Sequence, residues 1–272
     1  MTDLHNKTIF ITGSSRGIGR EIALRCARDG ANVVITGKTA EPHPKLPGTI
    51  HSVAQEVADA GGQALAIQLD VRDEAAITAA VEQAAAHFGG IDVLINNASA
   101  ISLTPTLQTQ AKRLDLMWDV NMRATFLASQ ACIPHLKKAA NPHILTLSPP
   151  LNLEARWFAQ HLAYTISKYG MSMVMLGLAK EFAADGIACN CLWPRTTIAT
   201  AAIEFNFPPE ILRASRKPAI MADAAHAILL RDSKTFSGHF LIDDEVMRAS
   251  GVKNLDHYAV NPGEKLYSDL FL

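Results

Sequence analysis

A chain of 272 residues with 49% hydrophobic side chains has enough apolar material for one large core, which excludes a disordered or fibrous reading. Lys and Arg number 25 against 26 Asp and Glu, a formal net charge of −1, so no global field draws the chain to nucleic acid or to an anionic membrane surface. No stretch reaches the ~18 apolar residues of a membrane span, and MTDLHNKTIF lacks the apolar run of a signal peptide, so a cytoplasmic location is expected.

In chain order, KTIFITG (7–13) is the first strand candidate, and TGSSRGIG (12–19) turns it into the helix candidate REIALRCARDG (20–30), which Gly30 stops. Gly13 makes the turn, while Gly17 and Gly19 let the backbone approach a pyrophosphate at the helix N-terminus. The spacing is GxxxGxG, and its place between strand and helix favours a dinucleotide site over a merely tight turn. NVVITGK (32–38), the second strand, ends in Gly37 and Lys38, where an acidic residue would accept from the ribose 2′-hydroxyl of NAD. Lys38 and Arg16 instead offer two cations to a 2′-phosphate, which predicts NADP (NADPH); the alternative is that both are solvated surface charges. EPHPKLPG (41–48) is a proline-rich loop. ALAIQLD (64–70) is the third strand, and at its end Asp70 and Val71 read an adenine edge or Asp70 caps a helix.

DEAAITAAVEQAAAHFGG (73–90) is a helix that Asp73 caps and the Gly pair ends. DVLIN (92–96) is the fourth strand, closed by NNAS (96–99). Asn121, in the helical run WDVNMRATF, either satisfies a neighbouring main chain or holds a water for proton relay. HILTLS (143–148) is the fifth strand, and Pro149 and Pro150 remove backbone donors, so it is expected to end at Ser148 on the edge where ligands bind. Tyr164 and Lys168 stand at i and i+4 on one helix face, where the ammonium stabilises phenolate and tunes the phenol for acid/base work. The same helix continues through KYGMSMVMLGLAKEFAA (168–184) with apolar residues on more than one face, which predicts a homodimer or homotetramer. IACNCLW (187–193) and HFLID (239–243) are the sixth and seventh strands, separated by a long excursion over 194–218.

Most strand candidates lack polar alternation, as parallel strands covered on both faces do. The repeated strand and helix order predicts an α/β fold: a doubly wound, Rossmann-like parallel sheet of about seven strands. A single domain over 1–272 is expected, with a substrate lid near 194–218 and an extension near 247–272. Cys26, Cys132, Cys189 and Cys191 form no CxxC pair and the ten histidines no HExxH, so no metal site is expected.

The glycine loop, NNAS, Asn121 and YxxxK in that order resemble the short-chain dehydrogenase/reductase family, and the resemblance runs through nearly the whole chain. KTAEPHPKLPGTI, NNASAISLT, LSPPLNL and AYTISKYGMS are similar to its hydroxysteroid-dehydrogenase-like protein two branch, here without the sterol-carrier domain of the animal members. The resemblance implies that Tyr164 exchanges a proton with the substrate oxygen, that Lys168 holds the nicotinamide ribose, and that Asn121 positions a relay water. It places Gly13, Ser15, Arg16, Ile18 and Gly19 around the cofactor phosphates, with Asn97 and Ala98 nearby, and Pro194 and Thr196 near the carboxamide. The implied activity is NADP(H)-dependent oxidation or reduction of a small alcohol or carbonyl; a non-enzymatic NADP-binding or lipid-associated module on the same fold is the alternative.

Three positions depart from the family's pattern: Arg195 replaces a glycine, NNAG is NNAS, and Leu151 stands where a serine is expected about thirteen residues before the tyrosine. Ser148 is expected to replace that serine if the stretch from Leu151 to Gln160 absorbs the extra residues. Trp157, Phe158, Phe205 and Phe207 either line an apolar pocket or pack the loop on its own domain. Arg195, Arg213, Arg216 and Lys217 either receive a coenzyme A phosphate or form a solvated basic face.

Overall fold

The computed structural model describes residues 3–42, 44 and 47–272; His43, Lys45 and Leu46 of the proline-rich loop lie outside the described residues. β1 (Thr8–Ile11) leads through α1 (Gly17–Ala27), β2 (Asn32–Gly37), α2 (Ile50–Asp59), β3 (Gln63–Gln68) and α3 (Glu74–Phe88) to β4 (Val93–Asn96). α4 (Ala111–Met117), a π-helical turn (Trp118–Arg123) and α5 (Ala124–Leu136) bring the chain to β5 (His143–Thr146). The short α6 (Arg156–Ala159) and the long α7 (Leu162–Glu181) precede β6 (Ala188–Trp193). α8 (Ala201–Asn206), α9 (Pro209–Arg213) and α10 (Ala219–Leu229) occupy the crossover to β7 (Phe240–Ile242), and α11 (Asp243–Ala249) follows at once. Each of the seven strand candidates is a strand.

The strands form one parallel sheet in the order β3-β2-β1-β4-β5-β6-β7. The order reverses between β1 and β4, and the crevice beyond their carboxyl ends is where a doubly wound sheet takes its ligands. Strand residues alternate between two covered faces, which is why the strands read as unbroken apolar runs. Ile9, Ile11, Val33 and Ile35 pack under α1, α2 and α10. Phe10, Val34, Cys189 and Cys191 face the other way, among residues of α3, α5 and α7. All four cysteines are free and buried.

Local chemistry sets the helix ends that border the crevice. Asp73 caps α3 by accepting from the Ala76 N–H at 3.0 Å, and Gly89 ends that helix at φ 84°. α1 has no side-chain cap at its N-terminus, so its partial positive charge faces the crevice unopposed by a carboxylate.

Candidate active site

The turn between β1 and α1 can be made only by glycine at its tightest point. Gly13 has φ 67°, and a Cβ there would lie 2.9 Å from Ala98 Cα. Asn97 donates its side-chain amide to the carbonyls of Thr12 and Gly13 at 2.9 and 2.8 Å, tying the end of β4 to the loop. Gly19 sits beneath that amide, where a Cβ would come within 2.5 Å of Asn97 Nδ2. The loop borders a cleft of about 540 Å³ lined by Gly13, Ser15, Arg16, Gly17 and Ile18. Lys38, Asp70, Val71, Asn97 and Ala98 complete its walls, so the structure brings these predicted residues together.

The charges in this cleft are unequal in their partners. Arg16 donates to the Pro47 carbonyl at 3.0 Å, to Thr39 Oγ1 at 3.0 Å and to the Gly48 carbonyl at 3.2 Å, all neutral acceptors. Lys38 Nζ lies 3.3 Å from Asp70, which Arg72 also grips at 2.6 Å. The Arg72 guanidinium, with Lys38 behind it, holds the Asp70 carboxyl well below the usual carboxylate range. A glycine cradle, an uncapped helix N-terminus and an arginine without an acidic partner among the described residues fit an anionic dinucleotide.

A second cavity, of about 230 Å³, adjoins the cleft and shares Ile18, Asn97, Ser99, Thr200 and Ala202 with it. Tyr164 and Lys168 line it from one face of α7, one turn apart. Lys168 is 2% exposed; its Nζ donates to the Leu147 carbonyl at 2.6 Å and sits 5.1 Å from the Trp193 ring centroid. Burial lowers this ammonium to about 7, and burial above all, with a further push from Asp269 when it is ionised, raises the Tyr164 phenol far above its ordinary value. The rest of the wall is mostly apolar, including Leu147, Trp193, Ile198, Ile203 and Phe207.

Asn121 is fully buried in the π-helical turn, and its side chain clamps the Ala100 backbone, accepting from the N–H at 2.7 Å and donating to the carbonyl at 3.0 Å. The main-chain role anticipated for this amide is therefore filled, and a bond to Ser167 Oγ at 2.9 Å completes it.

Ser148 is not brought to the cavity. β5 ends at Thr146, two residues short of the expected Ser148, because the Ser148 N–H turns back to the Thr146 carbonyl at 3.0 Å; Leu147 lines the wall, while the Ser148 hydroxyl is buried beside Cys191 and away from the cavity. Leu151 packs against the cluster that contains Tyr164 and Phe271. Pro194 lines the cavity, whereas Thr196 lines neither space and its buried hydroxyl has no partner among the described residues; Thr200, missed in the sequence, borders both. Ser99, the departure in NNAS, also stands where the two spaces meet.

The aromatic expectations divide. Phe207 lines the cavity, Phe205 is exposed, and Trp157 and Phe158 pack on Phe271 and Tyr169 at 5.8 and 5.5 Å between ring centroids. The basic residues form no common receptor: Arg195 pairs with Asp244 and Glu245, Arg213 with Glu210, Lys217 donates to the His257 carbonyl, and Arg216 is buried. Sequence reasoning also missed Tyr267, Ser268, Asp269 and Leu270, which close one side of the cavity. The only signal was an apolar cluster carrying one acid, SDLFL, after a polar stretch.

Residues 7–207 match the short chain dehydrogenase family, and the chain belongs to it. Enzymes of this family are oxidoreductases that use nicotinamide cofactors. Hydroxysteroid dehydrogenase-like protein 2 of Danio rerio is 58% identical over 265 residues, which are 97% of this chain and 63% of that protein. The human protein of the same name is 57% identical with the same coverage, so the chain spans 63% of the length of these relatives. Among solved structures, a provisionally assigned dehydrogenase from Xanthomonas campestris superposes with a TM-score of 0.96 at 56% identity, covering 99% of each chain. A short chain dehydrogenase from Mycobacterium thermoresistibile gives 0.94 at 49% identity, covering 99% of this chain and 96% of that one. None of the described helices is long and apolar enough to cross a membrane.

Proposed function

We propose that the chain is an NADP(H)-dependent oxidoreductase that interconverts a small apolar carbonyl compound and its alcohol. The observation that carries this reading is the placement of Tyr164 and Lys168 on one wall of a cavity continuous with the glycine-loop cleft. In the reducing direction NADPH supplies the hydride that reaches the carbonyl carbon. Tyr164 gives its phenolic proton to the carbonyl oxygen, so one hydride and one proton convert C=O to CH–OH. Lys168 would hold the nicotinamide ribose, and its ammonium, when charged, would oppose the burial that disfavours the phenolate left behind.

Arg16 supports the preference for NADP, because its guanidinium lines the cleft with neutral partners and keeps its charge for a 2′-phosphate. Lys38 supports it less strongly, since Asp70 already sits beside its ammonium. The apolar walls favour an apolar substrate. At about 230 Å³ the cavity is smaller than the roughly 300 Å³ at which pockets for drug-sized ligands begin, so a larger substrate requires displacement of the segment 194–218, acting as a lid.

The test is NADPH and NADH consumption over aliphatic, aromatic, steroidal and coenzyme A-linked carbonyls, with cofactor affinity read by fluorescence. Tyr164→Phe should cut turnover by ~100-fold or more, the scale of lost general acid catalysis, while leaving NADPH binding intact. A Tyr164→Phe variant as active as the parent would overturn the chemistry, and equal affinity for both cofactors would overturn the NADP preference.

A further inference from the structure

The cavity has a proton donor in Tyr164 but lacks the hydroxyl that the departed serine would have supplied, because Ser148 is turned away and Leu151 occupies the usual spacing. A carboxyl group borders the same cavity. Asp269 lines the same cavity as Tyr164 and Lys168, and it arrives on a segment that the sheet itself does not need. Backbone, indole and ring contacts fix that segment, among them the Thr197 N–H donating to the Tyr267 carbonyl at 3.0 Å and the Tyr267 N–H to the Ala214 carbonyl at 2.9 Å. The Asp269 N–H donates to the Arg195 carbonyl at 3.1 Å, the Trp193 indole donates to the Leu270 carbonyl at 2.9 Å, and the Phe271 ring stacks on Tyr164 at 6.3 Å between centroids. Asp269 Oδ1 accepts from the Leu270 N–H at 2.7 Å, and Oδ2 has no partner among the described residues.

We propose that Asp269 is a catalytic residue whose carboxylic acid donates the second hydrogen bond to the substrate oxygen beside Tyr164, an assignment that rests on the oxidoreductase reading above. A carboxyl can donate only while it keeps its proton, and an apolar setting favours that form. Burial, reinforced by the Asp243 carboxylate, pushes Asp269 up to about 7 against the opposing pull of the Leu270 N–H and Lys168. The groups that face it are Tyr164 and Lys168 from α7 and Asp243 from α11. Arg216 lies beyond, beside Asp243, and Arg195 contributes its backbone here while its guanidinium pairs with Asp244 and Glu245. His161 meets the segment edge-on at the Phe271 ring, 6.3 Å between centroids.

Hydride arrival puts negative charge on the substrate oxygen, and a fixed donor aimed at that charge lowers the barrier. Asp269→Ala should therefore reduce kcat by ~10 to 1000-fold with NADPH affinity unchanged. Asp269→Asn retains an acceptor for the Leu270 N–H and a donor toward the cavity, so it should stay within about tenfold of the parent, and its pH profile should lose the Asp269 component of the fall through about 7 and keep the one that Lys168 sets. Infrared difference spectra of the protein without substrate provide a readout independent of turnover: the parent should show a protonated carboxylic acid near neutral pH that vanishes in Asp269→Asn. Asp269 fully ionised in that titration, or Asp269→Ala reducing a ketone as fast as the parent while Ser99→Ala does not, overturns the assignment. A parent protein that binds NADPH yet reduces no carbonyl overturns the oxidoreductase reading, whatever the infrared titration shows.

Discussion

Lys168 is an ammonium removed almost wholly from water, compensated by one carbonyl at 2.6 Å and the face of Trp193. Its folded-state value, lowered by burial to about 7, lies below the ordinary 10.5 that the unfolded chain restores. Between those two values the unfolded state binds the extra proton, so stability from this group is present at high pH and lost as pH falls through about 7. Lys168→Met removes the titration. Thermal melts should therefore show the parent losing ground to Lys168→Met as pH is lowered from about 10 toward about 7, and an unchanging difference would refute the burial argument. The positions of Tyr164 and Lys168 were legible in the sequence because i and i+4 on a helix fix a shared face without any tertiary information. The side taken by Ser148 was not. It depends on the turn just beyond β5, where the Ser148 N–H donates to the Thr146 carbonyl at 3.0 Å, and no periodicity in the sequence fixes which way the hydroxyl then faces.

The secondary structure was the most legible part of the chain, since seven apolar runs punctuated by glycine and helix caps became seven strands. The segment 267–272 was not legible, because it has no regular period and its fit depends on rings supplied by α6, α7 and β6. Phe271 is 1% exposed and adopts φ 75°, a conformation that costs energy for a residue with a Cβ. The surrounding rings hold it there: Tyr169 lies at 5.2 Å, Trp157 and Trp193 at 5.8 Å each. Phe271→Ala should destabilise the fold by about 3 to 5 kcal/mol in denaturant titration, the ordinary cost of emptying a large aromatic site. Relief of the left-handed conformation does not offset this, because alanine also has a Cβ. The same variant should loosen Asp269 and expose Tyr164, so tryptophan fluorescence should shift and turnover should fall together. A stable variant with parental emission would mean that the rings close over the space without Phe271.

The assembly of whole chains follows from what the packed sheet leaves uncovered. α7 gives Tyr164, Lys168, Met171 and Met175 to the interior, yet Ile166, Met173 and Leu176 on its other side remain exposed, Met173 by 54%. Leu114, Trp118 and Phe126 on α4, the π-helical turn and α5 are exposed as well, and α7 packs beside these elements. Large apolar side chains on neighbouring helices exceed the scattered exposure normal for a monomer, which is the ground for expecting another copy to cover this surface. The formal net charge of −1 leaves little long-range repulsion to keep copies apart. A two-fold contact would set α7 or α5 against its own equivalent, and rigid pairing there would steady the helix that carries Tyr164 and Lys168. Light scattering at micromolar concentration should therefore report a dimer or tetramer. Met173→Glu combined with Leu176→Glu should shift the population to smaller species, since paired helices would bring like charges together in a desolvated seam. A monomeric parent protein, or a double variant of unchanged mass that also resists dilution, would place the assembly surface elsewhere or remove the need for one.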